Sequence, residues 1–110
     1  MNREIKFRLW DLLDCKMWTD SDLEEHTLHS IRDWEGYLMQ YTGLKDKNGK
    51  EIYEGDILSG YPHGNSIVKW DNEFACWVSD FDLIANEVKD MPERKVIGNI
   101  YENPELLTNN

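Results

Sequence analysis

Proton transfer, nucleophilic attack and metal binding would fall to a short set of residues: His26, His29 and His63, the thiols Cys15 and Cys76, and a surplus of carboxylates. Histidine titrates near neutral pH and is the usual base or ligand. A helix would bring His26 and His29 to one face, with Asp22 and Glu25 near them. A metal centre requires three or four well-placed ligands and groups that orient them; two histidines three apart do not supply that, so no metal site is assigned. Cys15 and Cys76 form no C-x-x-C pair, and in a reducing cytosol both are free thiols. A nucleophilic cysteine needs a histidine beside it, and the spacing places none. Nothing here has the form G-x-S-x-G, H-E-x-x-H or a phosphate-binding loop. No catalytic, cofactor-binding or metal-binding residue is assigned, and the chain is expected not to be an enzyme.

The strongest structural signals lie in Leu38–Leu58. Leu38 to Tyr41 reads as a strand, broken at Thr42-Gly43. Asn48-Gly49 is a strong turn signal because both residues tolerate positive φ. Lys50 to Tyr53 resumes an extended pattern, Gly55-Asp56 breaks it, and Ile57-Leu58 enters a sheet. The polar excursion 43–49 reads in two ways: a binding loop, or a hairpin connection that fixes register.

The rest of the chain must position these pieces. Ile5, Phe7 and Leu9 alternate with polar or larger residues, so period two predicts a strand with those three facing the core. Lys16-Met17-Trp18 is its hairpin partner across Asp11–Cys15, although Leu12-Leu13 is apolar where turns are usually polar. Ser21-Asp22-Leu23-Glu24 fits a capping box at the start of a helix within Thr19–Glu35. Leu23, Leu28, Ile31 and Trp34 would line one side, and Gly36 would end it. Residues 60–65 form a loop. Ser66–Trp70 is a strand with Ile67 and Lys69 on one side and Val68 and Trp70 on the other. Asp71-Asn72 turns it, and Phe74–Val78 returns, an antiparallel hairpin. Asp80–Glu93 reads as a loop, Lys95–Tyr101 as a last strand. Asn103-Pro104 is a helix N-cap followed by proline at the first helical position. Internal repeats are absent.

Six or seven short strands with turns between them predict a mostly β fold with minor α: a small antiparallel barrel or sandwich. It is SH3-like in part by strand count, with an N-terminal β-hairpin extension and a short C-terminal helical cap. One domain spans 1–110, an extension over 1–36 and a β core over 37–103.

Three blocks carry a family resemblance. LMQYTGLKDKNGKEIYEGDI in the centre, Arg3 to Arg8 with Trp10-Asp11 at the start, and Val96 to Leu107 at the close resemble the YopX family of phage and prophage proteins. The resemblance implies a phage-encoded accessory protein of unassigned biochemical role. It brings no catalytic residues to carry across.

Composition narrows the function classes. The chain has 110 residues and a net charge of −10. The charge is uneven, −2 over residues 1–50 and −8 over 51–110. Such a surface repels phosphate backbones, so no direct nucleic-acid binding is expected. The acidity serves solubility, or the acidic half mimics DNA and inhibits a host DNA-binding protein. No apolar run approaches the roughly 20 residues of a membrane helix. The expected compartment is the cytoplasm of a bacterial host. Five Trp and five Tyr exceed what a small core hides, and exposed aromatics mark interfaces. The first reading is therefore a non-catalytic protein–protein interaction module that forms a homo-oligomer and contacts a host or phage protein. The alternatives are the acidic DNA mimic and a small enzyme with an unrecognised site.

Overall fold

The computed structural model describes residues 5–23, 36–59, 64–79 and 94–107. The fold is mostly β, with every registered strand pair antiparallel. Nine strands, one turn of α-helix and one 3-10 helix make up the described residues. The chain clusters into two compact units, Met1–Tyr41 and Thr42–Asn110.

In the first unit β1 (Phe7–Asp11) pairs with β2 (Lys16–Trp18) and with the start of β3 (Gly36–Lys45). The strand starts two residues later than the alternation predicts. Leu9 is buried and Phe7 packs beside it, but Ile5 is 66% exposed and lies outside the strand. Alternation alone does not tell where pairing begins. Leu9 and Leu23 form a small core with Phe7 and Trp18.

Leu23 reaches that core on the helix turn α1 (Asp20–Leu23). The cap lies two residues before the predicted one. Thr19 is the N-cap: its Oγ1 accepts from the Asp22 N–H, and Asp22 Oδ2 accepts from the Thr19 N–H at 2.9 Å. Aspartate takes the part that Glu24 was expected to play, as a carboxylate in the first turn can. The predicted helical face Leu28, Ile31 and Trp34 lies outside the described residues. Gly36, expected to end a helix, is the first residue of β3. A Cβ there would strike the Trp10 carbonyl, so glycine permits the close pairing.

β3 does not break at Thr42-Gly43. It continues to Lys45 with Gly43 at φ 88°, a kink that a residue with a Cβ rarely adopts. Thr42 supports it by donating its hydroxyl to the Ile52 carbonyl at 2.8 Å while accepting from the Leu44 N–H.

In the second unit the end of β3 lies beside β4 (Glu51–Tyr53). A three-stranded sheet runs β6 (Ser66–Ile67), β5 (Asp56–Leu58), β9 (Val96–Asn99). β7 (Lys69–Asp71) and β8 (Cys76–Val78) form a separate hairpin. The single strand predicted over Ser66–Trp70 is two strands, parted at Val68. There the backbone turns its bonds to Gly55 and Asp56, and its side chain enters the core. Val68 is therefore fully buried while Trp70 is 40% exposed, so the two do not share an environment as alternation implied. That core is Ile52, Leu58, Val68 and Val96, with Leu44 and Trp77 packed against it.

The last strand stops at Asn99, where Asn99 Oδ1 accepts from the Tyr101 and Glu102 N–H groups and turns the chain. The 3-10 helix Pro104–Leu107 follows, with proline at its first position as predicted. The Asn103 side chain does not cap it; its Oδ1 accepts from the Asn99 N–H.

Candidate interaction site

The two hairpins carry the same turn. In the first, Asp11 precedes a four-residue loop, Leu12 to Cys15; in the second, Asp71 precedes Asn72 to Ala75. Asp11 Oδ1 accepts from the Leu13 and Asp14 N–H groups. Asp71 Oδ1 accepts from the Glu73 and Phe74 N–H groups. The fourth loop residue is left-handed in both, with φ 51° at Cys15 and at Ala75. Each tryptophan before the aspartate faces a β2 or β8 residue, Trp10 with Met17 and Trp70 with Trp77. The carboxylate fixes the loop because it accepts successive backbone amides that would otherwise need water.

This turn has a consequence at its tip. Leu13 is 73% and Phe74 is 72% exposed, with Leu12 and Trp70 also exposed. Large apolar side chains are thus held outward on loops whose backbone is already pinned. The expected strand Phe74–Val78 begins only at Cys76, which places Phe74 in the loop rather than on a sheet face. The apolar pair Leu12-Leu13 in a turn was the one sequence sign of such a tip. For Phe74 the sign was hidden, because the same residues also read as a strand.

The first hairpin adds a tie that the second lacks. Asp11 Oδ2 accepts from the Trp18 indole N–H at 3.0 Å. That bond, with the two loop amides and nearby Lys16, holds the Asp11 carboxyl below its ordinary value. Lys16 Nζ lies 4.1 Å from the centre of the Trp18 ring. In the second hairpin Trp70 packs edge-on against Trp77 with ring centroids 5.1 Å apart. The Trp77 indole nitrogen is buried with no hydrogen-bond partner among the described residues.

The residues singled out for chemistry are scattered. His26, His29 and His63, with Glu25, lie outside the described residues, as does the Asp80–Glu93 loop. Cys15 is an exposed thiol in the first turn, and Cys76 is a half-buried thiol on β8. Asp22 serves Thr19, whose N–H and hydroxyl hold its carboxyl below the ordinary value. Of the excursion 43–49, residues 43–45 belong to β3, and the connection to β4 starts at Asp46. Its organiser is Asp46, a buried residue that sequence reasoning passed over, although an aspartate two residues before Asn-Gly is a turn signature. Asp46 Oδ1 accepts from the Asn48 and Lys50 N–H groups, and Oδ2 from the Val96 N–H. Arg94 was also missed. It is fully buried and donates to the Ser59 and Gly64 carbonyls and the Ser66 hydroxyl. Nothing in its sequence surroundings marks a buried guanidinium. Among the described residues no cluster of three or more His, Cys, Asp or Glu is placed to hold a metal ion, and no helix is long and apolar enough to cross a membrane.

Comparison with known proteins agrees with the three resembling blocks. The family described as YopX protein matches residues 6–108. Among solved structures, a crystal structure of protein EF1440 from Enterococcus faecalis superposes with a TM-score of 0.71 at 28% identity, covering 96% of this chain and 99% of that one. No curated protein matches the chain.

Proposed function

Because the chain belongs to the YopX family, we propose that it is a non-catalytic protein–protein interaction module, a phage or prophage accessory protein working in the cytoplasm of a bacterial host. One observation carries this reading: Leu13 and Phe74 project from carboxylate-pinned turns at more than two-thirds exposure. An apolar side chain on a fixed backbone loses little further freedom on binding, so its burial against a partner translates well into affinity. Aromatic side chains such as Phe74 are enriched at protein interfaces relative to the rest of the surface.

The simplest partner is a second copy of the chain. Light scattering over a wide concentration range is expected to give a mass above the monomer, and the double substitution Leu13→Asp with Phe74→Asp to return it to the monomer. A wild-type protein that stays strictly monomeric removes the oligomer half of the proposal. The remaining half then rests on capture from host lysate. A protein held by the wild type and released by the double variant supports it; no such protein sinks it.

Mimicry of DNA is the competing use of the acidic surface. Against it, Asp56 and Asp71 in the acidic half each accept backbone amides, so these two carboxylates serve the fold. Salt separates the two readings. Binding through apolar tips changes little as salt rises, whereas a phosphate mimic weakens as its charges are screened.

A further inference from the structure

Asn48-Gly49 is a turn signal that the interaction reading leaves unused. Asparagine before glycine is also the pair at which a backbone amide most readily attacks a side-chain carboxamide, since glycine has no side chain to shield its nitrogen. Asn48 is exposed, and its side chain makes no hydrogen bond among the described residues. The space beside Gly49 is open: apart from its two chain neighbours, no atom lies within 4 Å of where a Cβ would stand. Nothing covers this pair sterically.

Hydrogen bonds hold it instead. The Gly49 N–H, the group that must attack, donates to the Asp46 carbonyl at 2.9 Å. The Asp46 N–H donates to the Lys50 carbonyl at 2.9 Å, closing the loop. The Asp46 carboxylate takes the Asn48 N–H at 2.9 Å and the Lys50 N–H at 3.0 Å. Its other oxygen takes the Val96 N–H at 3.0 Å, so the same side chain ties the loop to β9.

We propose that Asn48 is a modification site, converted through a succinimide with Gly49, and that Asp46 is the positioning residue that sets its rate. Hydroxide removes the Gly49 amide proton, and the nitrogen bonds to Asn48 Cγ. The bond from Cγ to the carboxamide nitrogen then breaks, and that nitrogen leaves with a proton as ammonia. Water opens the ring at either carbonyl to give aspartate or isoaspartate at position 48. No oxidant or reductant takes part. In the folded loop the attacking N–H is already engaged, so reaction waits on local opening. The isoaspartate product lengthens the main chain between residues 48 and 49. The closure between Asp46 and Lys50 then no longer fits, and the tie from Asp46 to Val96 loosens with it.

The test follows conversion at Asn48 in the full-length protein at mildly alkaline pH, by peptide mapping and mass. Conversion in concentrated urea is expected to be at least about tenfold faster than in native buffer, given the hydrogen bonds that must open. Asp46→Asn keeps the side-chain shape but only one accepting oxygen; its folded protein is expected to convert about tenfold faster than the wild type. Hydrogen exchange of the Gly49 and Lys50 amides in the wild type supplies a second reading that needs no variant, because their protection should match the ratio of urea to native rates. No conversion in urea overturns the site. Equal rates in urea and native buffer overturn the gate. A folded Asp46→Asn protein that converts at the wild-type rate, or exchange protection unrelated to the conversion ratio, overturns the part assigned to Asp46.

Discussion

In the β1–β2 hairpin the aspartate before the loop, Asp11, is buried and binds the Trp18 indole as well as two loop amides. In β7–β8 the aspartate at the same place, Asp71, is half-buried and pins its loop through the amides of Glu73 and Phe74. The indole N–H of Trp18 has found an acceptor; the indole nitrogen of half-buried Trp77, though itself buried, has no partner among the described residues. What secures the second hairpin is apolar: Trp77 packs against the cluster that Ile52, Leu58, Val68 and Val96 form, and takes Trp70 edge-on. One turn is thus mounted on two kinds of support, a charged hydrogen bond and an aromatic packed on a core. The turn follows from a few local residues, and the support follows from what the rest of each unit supplies.

The largest effects should separate the supports. Trp77→Ala is expected to cost about 3 kcal/mol in urea denaturation, since a large aromatic leaves a core. Met17→Ala, at the matching place in the first hairpin, is expected to cost only about 1 kcal/mol: both residues are half-buried, but Met17 is smaller and stands apart from the Leu9–Leu23 cluster, whereas Trp77 packs on its core. Equal costs would show that both hairpins rest on the same kind of support.

Next comes the carboxylate. Asp11→Asn should lower the unfolding midpoint more than Asp71→Asn, since it also weakens the indole bond. The effect has a definite sign with pH. The folded Asp11 carboxyl titrates below its ordinary value of 3.8, so near that pH the unfolded chain holds more protons than the folded one. Its contribution is whole above that value and is lost as pH falls through the lower, folded value. Asp22 acts in the same direction. The gap in midpoint between the wild type and Asp11→Asn is therefore expected to narrow as pH falls below 3.8; a gap that stays constant would contradict the lowered carboxyl.

The smallest effects test the shared turn. Cys15→Gly and Ala75→Gly should each stabilise by about 0.5 kcal/mol, the relief of a left-handed backbone less the freedom glycine gains unfolded. Similar gains at both sites sharpen the identity of the two loops; a loss at either shows that its side chain matters more than its backbone.

Both hairpins are legible in the sequence but their kinship is not, for a physical reason. The common code is Trp-Asp followed four residues later by a left-handed position, and the loop residues between contribute backbone amides. Leu-Leu-Asp and Asn-Glu-Phe therefore build the same turn without looking alike. Helix capping was legible in kind but misplaced by two residues, because Thr19 with Asp22 and Ser21 with Glu24 both satisfy the spacing. Asp46 lay in plain view before Asn-Gly; its bond to Val96, 50 residues away, did not.

Local sequence decided where the chain turns and that it pairs as antiparallel strands, because glycine, Asn-Gly and Asx side chains act on backbone within a few residues. Tertiary structure decided that Ile5 stays outside, that Val68 interrupts a strand to enter a core, and that Arg94 is buried among carbonyls. Each of those depends on which groups from distant segments arrive to cover or bind a side chain, and no local pattern contains that information.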